Sequence, residues 1–248
     1  MRVDADKINY SFVSLIEEPN QTVFLDANFF IPPDRSCLTS NKIIKPYDFS
    51  YYKENWLEPL WAEFSGISIH ESVYDELVDA HVKAFADSKA KANPPELKIY
   101  YDSSLTEIER NMMRAKVDML ATHSQYDPDM DNSKDRGEVL SLSYMSVKGF
   151  LYFAAKDELP IRLITHADKL GTGLNEMGII QMFELLYYLR KTQKYDDKAL
   201  RNLYKYNYRM TVREKQNNPD WENLIFKMDN LYLPIISKNN NRLSKPPM

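Results

Sequence analysis

The feature that most restricts the fold is an alternation. Short apolar runs of strand length recur along the chain, and stretches of helical period separate them. "TVFLD" at 22–26, "GISI" at 66–69 and "FLYFAA" at 150–155 read as strands, and "IRLIT" at 161–165 as a last one. Helical patterns are expected near residues 5–17, over "KENWLEPLWAEF", over "ESVYDELVDAHVKAF", from about 105 to 123, over "DRGEVLSLSYMSVK" with Gly149 as its C-terminal cap, and over "LNEMGIIQMFELLYYLRK". Ser104 and Glu107 fit a capping box at the head of the helix from 105. "NPPELKIYYDSS" reads as a break, and the stretch from the first strand to about residue 53 as irregular. Strands alternating with helices imply an α/β fold with three layers: a mostly parallel central sheet flanked by helices, with helical insertions and a helical C-terminal extension. In such sheets working groups collect beyond the carboxyl ends of the strands.

Several function classes fall away. Only 6 of the 248 residues are glycine, and none falls in the spacing that wraps a dinucleotide or nucleoside triphosphate phosphate chain. His70, His81, His123 and His166 show no close metal-ligand spacing, so each reads as surface or structural. Cys37 is the only cysteine, which excludes an intrachain disulfide. No apolar run approaches the ~18 residues a membrane span requires. The N-terminal stretch "MRVDADKINYSF" lacks the basic start and apolar core of a secretory signal, so the cytoplasm is the expected compartment. A net charge of -4 neither demands nor excludes a nucleic-acid partner.

Carboxylates at strand ends are the candidate working groups. Asp26 closes the first strand, and Asp157 follows "FLYFAA" in the same way. Each also has a plainer reading as a helix cap or turn former. Glu76 borders the apolar face marked by Leu77, and Glu138 lies in the first turn of its helix close to Asp135. Acids favour that turn for dipole reasons alone.

The order of these residues resembles the PIN-domain nucleases. "VFLDANFFI" is similar to the family's opening strand followed by Asp, a variable residue and Asn. "ISIHESVYDEL" resembles its second motif, V-x-x-E-L, through Val73, Glu76 and Leu77. "DRGEVLSLSYMS" is similar to a variant third motif with Gly137 and Glu138, and "FLYFAAKDE" to the strand ending in the fourth acid, Asp157. The resemblance runs from about residue 20 to 190. The interval from Glu76 to Glu138 is long for the family, and the last sixty or so residues have no counterpart.

The resemblance implies a PIN-like domain over 1–190, with insertions near 32–62 and 85–130, followed by a basic, helical extension over 191–248. It implies a ribonuclease in which Asp26, Glu76, Glu138 and Asp157 are catalytic and hold Mg²⁺ or Mn²⁺, with Asn28 orienting Asp26 from the outer shell. Asp135 stands as an alternative or companion to Glu138, and Asp168 as a weaker rival to Asp157. Carboxylates about 4 Å apart repel by roughly 4 kcal/mol per pair at an effective dielectric near 20, so converging acids call for cations. Oxygen-only ligation selects Mg²⁺ or Mn²⁺, and a pair of such ions suits in-line displacement at a phosphodiester. RNA is the implied substrate. A toxin of a toxin–antitoxin or phage-defence pair, with an antitoxin or other protein partner, falls within the resemblance. The non-enzymatic alternative is a PIN-like scaffold that binds RNA or protein without cleaving. A haloacid-dehalogenase-type phosphatase fits less well, because Asn28 stands where that chemistry expects a second Asp.

The segment 190–215 carries nine Lys or Arg against three Asp or Glu, a local balance of +6. If helical, Lys194, Lys198, Arg201, Lys205, Arg209 and Arg213 form one stripe, with Tyr204 and Tyr208 placed to stack on bases. The alternative is a solvated helix face beside a tyrosine-rich core edge. Tyr51, Trp56 and Trp61 likewise read either as an interface or as packing within an insertion.

Overall fold

The computed structural model describes residues 2–35 and 47–243, with side chains to residue 236; Cys37 and part of the expected 32–62 insertion lie outside that set. In chain order the helices are α1 Tyr10–Glu17, α2 Phe49–Tyr52, α3 Glu58–Glu63, α4 Glu71–Glu76, α5 Ala80–Ala90, α6 Glu107–Ala121, α7 Arg136–Lys148, α8 Glu158–Thr165, α9 Ala167–Leu170, α10 Met182–Thr192, α11 Asp197–Tyr208, α12 Val212–Asn217 and α13 Trp221–Leu243. The strands are β1 Val23–Leu25, β2 Ile67–His70, β3 Lys98–Tyr100, β4 Tyr152–Ala155 and β5 Gly178–Gln181.

The chain divides into two compact units. One comprises Thr22–Ile31 and Ser65–Gln181, the other Met1–Gln21, Pro32–Phe64 and Met182–Met248. The first unit holds an all-parallel sheet in the order β3-β2-β1-β4-β5, flanked by helices. This is the α/β architecture expected from the alternation. β1 is central, with Val23, Phe24 and Leu25 opposite Tyr152, Phe153 and Ala154 of β4. Phe24, Phe153, Val139, Leu142 and Leu163 are buried together in its core. Full burial of such an aromatic or aliphatic side chain stabilises by roughly 1.5–3 kcal/mol. All three β1 residues are buried, as a strand covered on both faces requires.

Five local expectations are corrected. The break at 93–104 contains β3, a short edge strand with an exposed or half-buried pattern and so no apolar period to betray it. "IRLIT" is the body of α8: Glu158 and Pro160 sit in its first turn, where acid and proline are favourable, and only one face is buried. "LNEMGIIQMFELLYYLRK" splits into β5 and α10, because Ile179 and Ile180 are both buried between helices and a doubly covered strand carries no alternation. The helix expected over 71–85 is broken by Asp79, whose carboxylate accepts the N–H groups of His81 and Val82 and starts α5 anew. The capping box of α6 also moves. Thr106 and Glu109 form it, while the Ser104 hydroxyl donates to the Tyr101 carbonyl. Gly149 caps α7 at φ +72°, as its position foretold.

The second unit is helical. Asn9 caps α1 and donates through its amide to both oxygens of buried Glu184 at 3.0 Å, while its backbone N–H donates to Tyr232 Oη at 2.7 Å. Arg35 pairs with Glu214 and donates to the Asn207 carbonyl. Trp56 is fully buried and Trp61 nearly so, so these indoles are packing; Tyr51 is exposed at 39%. No helix among the described residues is long and apolar enough to cross a membrane.

Candidate metal centre

β1 and β4 are neighbours and parallel, so their carboxyl ends deliver Asp26 and Asp157 to the same edge of the sheet. The Asp26 N–H donates to the Ala154 carbonyl at 3.0 Å, which fixes the backbone just where the strand turns into the short helical turn Ala27–Phe29. Asp26 precedes that turn and Asp157 precedes α8, yet neither side chain accepts a capping hydrogen bond. The plain cap reading therefore fails for both. Glu138 enters from the first turn of α7, and one oxygen from each of Asp26, Glu138 and Asp157 lies within 4.8 Å of the others.

Asn28 ties two of these acids together. Its amide donates to Asp26 Oδ2 at 3.1 Å and to Asp157 Oδ2 at 2.7 Å, so both N–H bonds are committed to the pair. Removing it should loosen the two carboxylates without removing either, and Asn28→Ala is expected to weaken divalent-ion affinity by about 10–100-fold, as measured by calorimetry. An unchanged affinity would show that the amide orients nothing.

Glu76 stands beside the trio rather than within it. Its Oε1 accepts the Gly137 N–H at 2.9 Å, anchoring the start of α7. Gly137 has no room for a side chain: an added Cβ would stand inside contact distance of the Glu76 carboxylate. Gly137→Ala should therefore displace Glu76 and destabilise the protein by about 1–3 kcal/mol. In a double-mutant thermal-unfolding cycle most of that cost should vanish when Glu76 is also alanine. Additive effects would mean the glycine is needed for some other reason.

Asp135 begins α7 in the left-handed conformation at φ +58°. Its Oδ2 accepts the Gln125 N–H at 2.8 Å, and its Oδ1 lies 3.6 Å from Lys134 Nζ. It pins the loop before α7, and Glu138 rather than Asp135 supplies the oxygen to the trio. Asp168 is exposed on α9 and accepts from Asn175, away from this arrangement.

The electrostatics follow from burial and crowding. Asp26 is 1% exposed, and burial first, then the charges of Glu138 and Asp157, hold its carboxyl well above the ordinary carboxylate range. Asn28 opposes the shift by donating to it. Burial and the neighbouring Glu138 push Glu76 up to about 7, and burial with Asp135 and Asp157 raises Glu138. A cation among these oxygens would reverse those preferences, because it favours the charged forms. An all-carboxylate donor set suits a hard divalent ion such as Mg²⁺ or Mn²⁺.

A second cluster escaped the sequence reading. His70, Glu71 and Asp102 also bring ligand-type atoms within 4.8 Å of one another, at the ends of β2 and β3. Buried His70 accepts the Ser72 N–H at Nδ1, which assigns the ring proton to Nε2, donating to Asp102 Oδ1 at 3.0 Å; Glu71 Oε1 accepts the Asp102 N–H at 2.7 Å. These bonds account for the cluster as a lock between the two strand ends. Its one sequence signal was an acid after "KIYY", invisible until β3 is recognised as a strand.

In the helical unit, Lys198, Arg201, Lys205 and Arg209 lie along α11 and its C-terminal cap and line one cavity. Lys194 instead pairs with Glu63 at 2.8 Å, and Arg213 belongs to α12. Tyr204 and Tyr208 are buried at 1% exposure each, which corrects the expectation that they stack on bases. Comparison of the chain with protein-family models, with curated proteins and with solved structures returned no match.

Proposed function

We propose that this chain is a PIN-like nuclease that hydrolyses RNA phosphodiester bonds with Mg²⁺ or Mn²⁺. The observation that carries the reading is the trio of Asp26, Glu138 and Asp157, contributed by three separate elements and brought within 4.8 Å at the carboxyl edge of a parallel sheet. Such a concentration of negative charge is costly in an apolar surrounding unless a cation shares it. The amino acids also occur in the order of the four motifs that resemble the PIN domain, and RNA as substrate comes from that resemblance.

Asp26, Glu138 and Asp157 would hold the cation, and Asn28 would keep the two aspartates aligned by donating to both. A divalent ion, when bound, supplies Lewis acidity toward a phosphoryl oxygen. Glu76 accepts the Gly137 N–H through Oε1 and so would position the start of α7, the helix that brings Glu138 to the trio. The test is incubation of the purified protein with RNA and DNA oligonucleotides, in Mn²⁺, in Mg²⁺ and in chelator. RNA should be shortened only when a divalent ion is present. Cleavage that persists in chelator, or no cleavage under any condition, would overturn the proposal; metal binding without cleavage would favour the non-cleaving scaffold.

A further inference from the structure

We propose that the cavity along α11 is a groove for the phosphate backbone of a single nucleic-acid strand, engaging charge and reading no base. The cavity is about 440 Å³, within the range of ligand-binding clefts. Lys198, Arg201 and Lys205 succeed one another at steps of three and four, so the helical backbone sets them on one face, and Arg209 joins them from the C-terminal cap by lining the same cavity. Asp220 is the one carboxylate among the lining residues, leaving four cations against a single anion.

These cations are not consumed by the protein. Among the described residues, the Lys198 and Lys205 ammonium groups form no ion pair. Arg201 lies 3.5 Å from Glu222, but both side chains are more than half exposed, and such pairs are weak. Among the described residues the buried Arg209 Nε has no hydrogen-bond partner, and its Nη2 donates only at 3.5 Å, to the Lys215 carbonyl. No carboxylate among the described residues pairs with this guanidinium, so its charge is left to the cavity it lines.

The extent of the stripe points to a polymer. From Lys198 to Tyr208, the residue before Arg209, the helix rises by about 15 Å, too far for one phosphate to meet every cation. The two aromatic residues lining the cavity, Tyr204 and Trp221, offer no stacking surface. Tyr204 is packed 5.5 Å from Trp221 and 5.3 Å from Tyr208 between ring centroids, and its hydroxyl donates to the Pro219 carbonyl at 2.7 Å. Trp221 itself is 3% exposed. Recognition here is therefore by charge, with the salt dependence that phosphate contacts impose and without the base-stacking component of many single-strand binders.

The groove and the acidic trio are argued from separate residues, so binding is measured in chelator, where cleavage does not enter. The probe is a fluorescent single strand of about twelve nucleotides, all adenine or all uracil, titrated with the full chain by anisotropy. The two strands should bind within about threefold of each other. Lys198→Ala with Lys205→Ala should weaken binding at least about tenfold and reduce the salt slope by about 1.4, at roughly 0.7 per lost contact. Replacing the same lysines by arginine should preserve binding, which separates charge from a folding defect, and Lys91→Ala, a lysine that does not line the groove, serves as the control. Unchanged affinity and slope in the alanine double variant would overturn the proposal. So would a preference above about tenfold between the two strands, or binding to phosphatidylserine vesicles with none to either strand.

Discussion

Asp26→Asn is expected to reduce divalent-ion-dependent RNA cleavage by more than about 100-fold while leaving the protein folded. The threshold comes from the neighbouring amide: loss of an outer partner such as Asn28 costs about 10–100-fold, and loss of the central ligand must exceed it. The substitution keeps the size and shape of a side chain that is 1% exposed, so no cavity opens. It removes a charge that burial, Glu138 and Asp157 all disfavour. In the absence of metal the variant should therefore melt no lower than the parent. Activity is read by gel, folding by circular dichroism, and metal affinity by calorimetry. A variant that cleaves as well as the parent would remove Asp26 from the reaction; one that unfolds would show that the carboxylate is structural.

The second large effect is a dependence of stability on pH that metal cancels. Glu76 is pushed up to about 7 from an ordinary value of 4.5, and Asp26 and Glu138 move in the same direction. When the folded state holds its protons more tightly than the unfolded one, the associated stability is fully present below the unfolded pKa. It is lost as pH rises through the folded value. In chelator the melting temperature should fall between about pH 4.5 and 7 from Glu76, and Asp26 and Glu138 should contribute losses of the same sign as pH rises. At 1.36 kcal/mol per unit the Glu76 shift corresponds to roughly 3 kcal/mol, and to about 2 once screening by the water that reaches it is included. Mn²⁺ should reverse the trend. It binds the charged forms, so its stabilisation should be larger near pH 8 than near pH 5, reaching about 2.7 kcal/mol at a hundredfold excess over Kd. A melting temperature in chelator that rises across this range, or a metal effect independent of pH, would contradict a crowded acidic centre.

The fold was legible where covalent pattern and period coincide. β1 and β4 are continuous apolar runs of strand length, α7 ends at a glycine that takes the left-handed conformation, and α6 begins with an S/T-x-x-E pattern. Reading failed where two interpretations share one pattern. Ser104–Glu107 and Thr106–Glu109 both satisfy the capping spacing, and only the backbone geometry at Thr106 selects the second. β5 and α8 are apolar segments whose type depends on what covers them. β5 is a strand because Ile179 and Ile180 are paired with Phe153 and Ala154, a long-range event that no local propensity encodes.

By itself the sequence determined the alternation of strands and helices, hence a parallel sheet, and the placement of Asp26 and Asp157 at strand ends, because backbone period and apolar content are local properties. Tertiary structure alone decided that β1 and β4 lie side by side, so that residues 131 positions apart share one edge, and that Glu138 reaches them while Asp135 turns to the Gln125 amide. It also decided that Tyr204 and Tyr208 face inward and leave the α11 cations without stacking partners. The physical reason is the same in each case: which way a side chain points is set by what packs against its element, and those partners are distant in sequence.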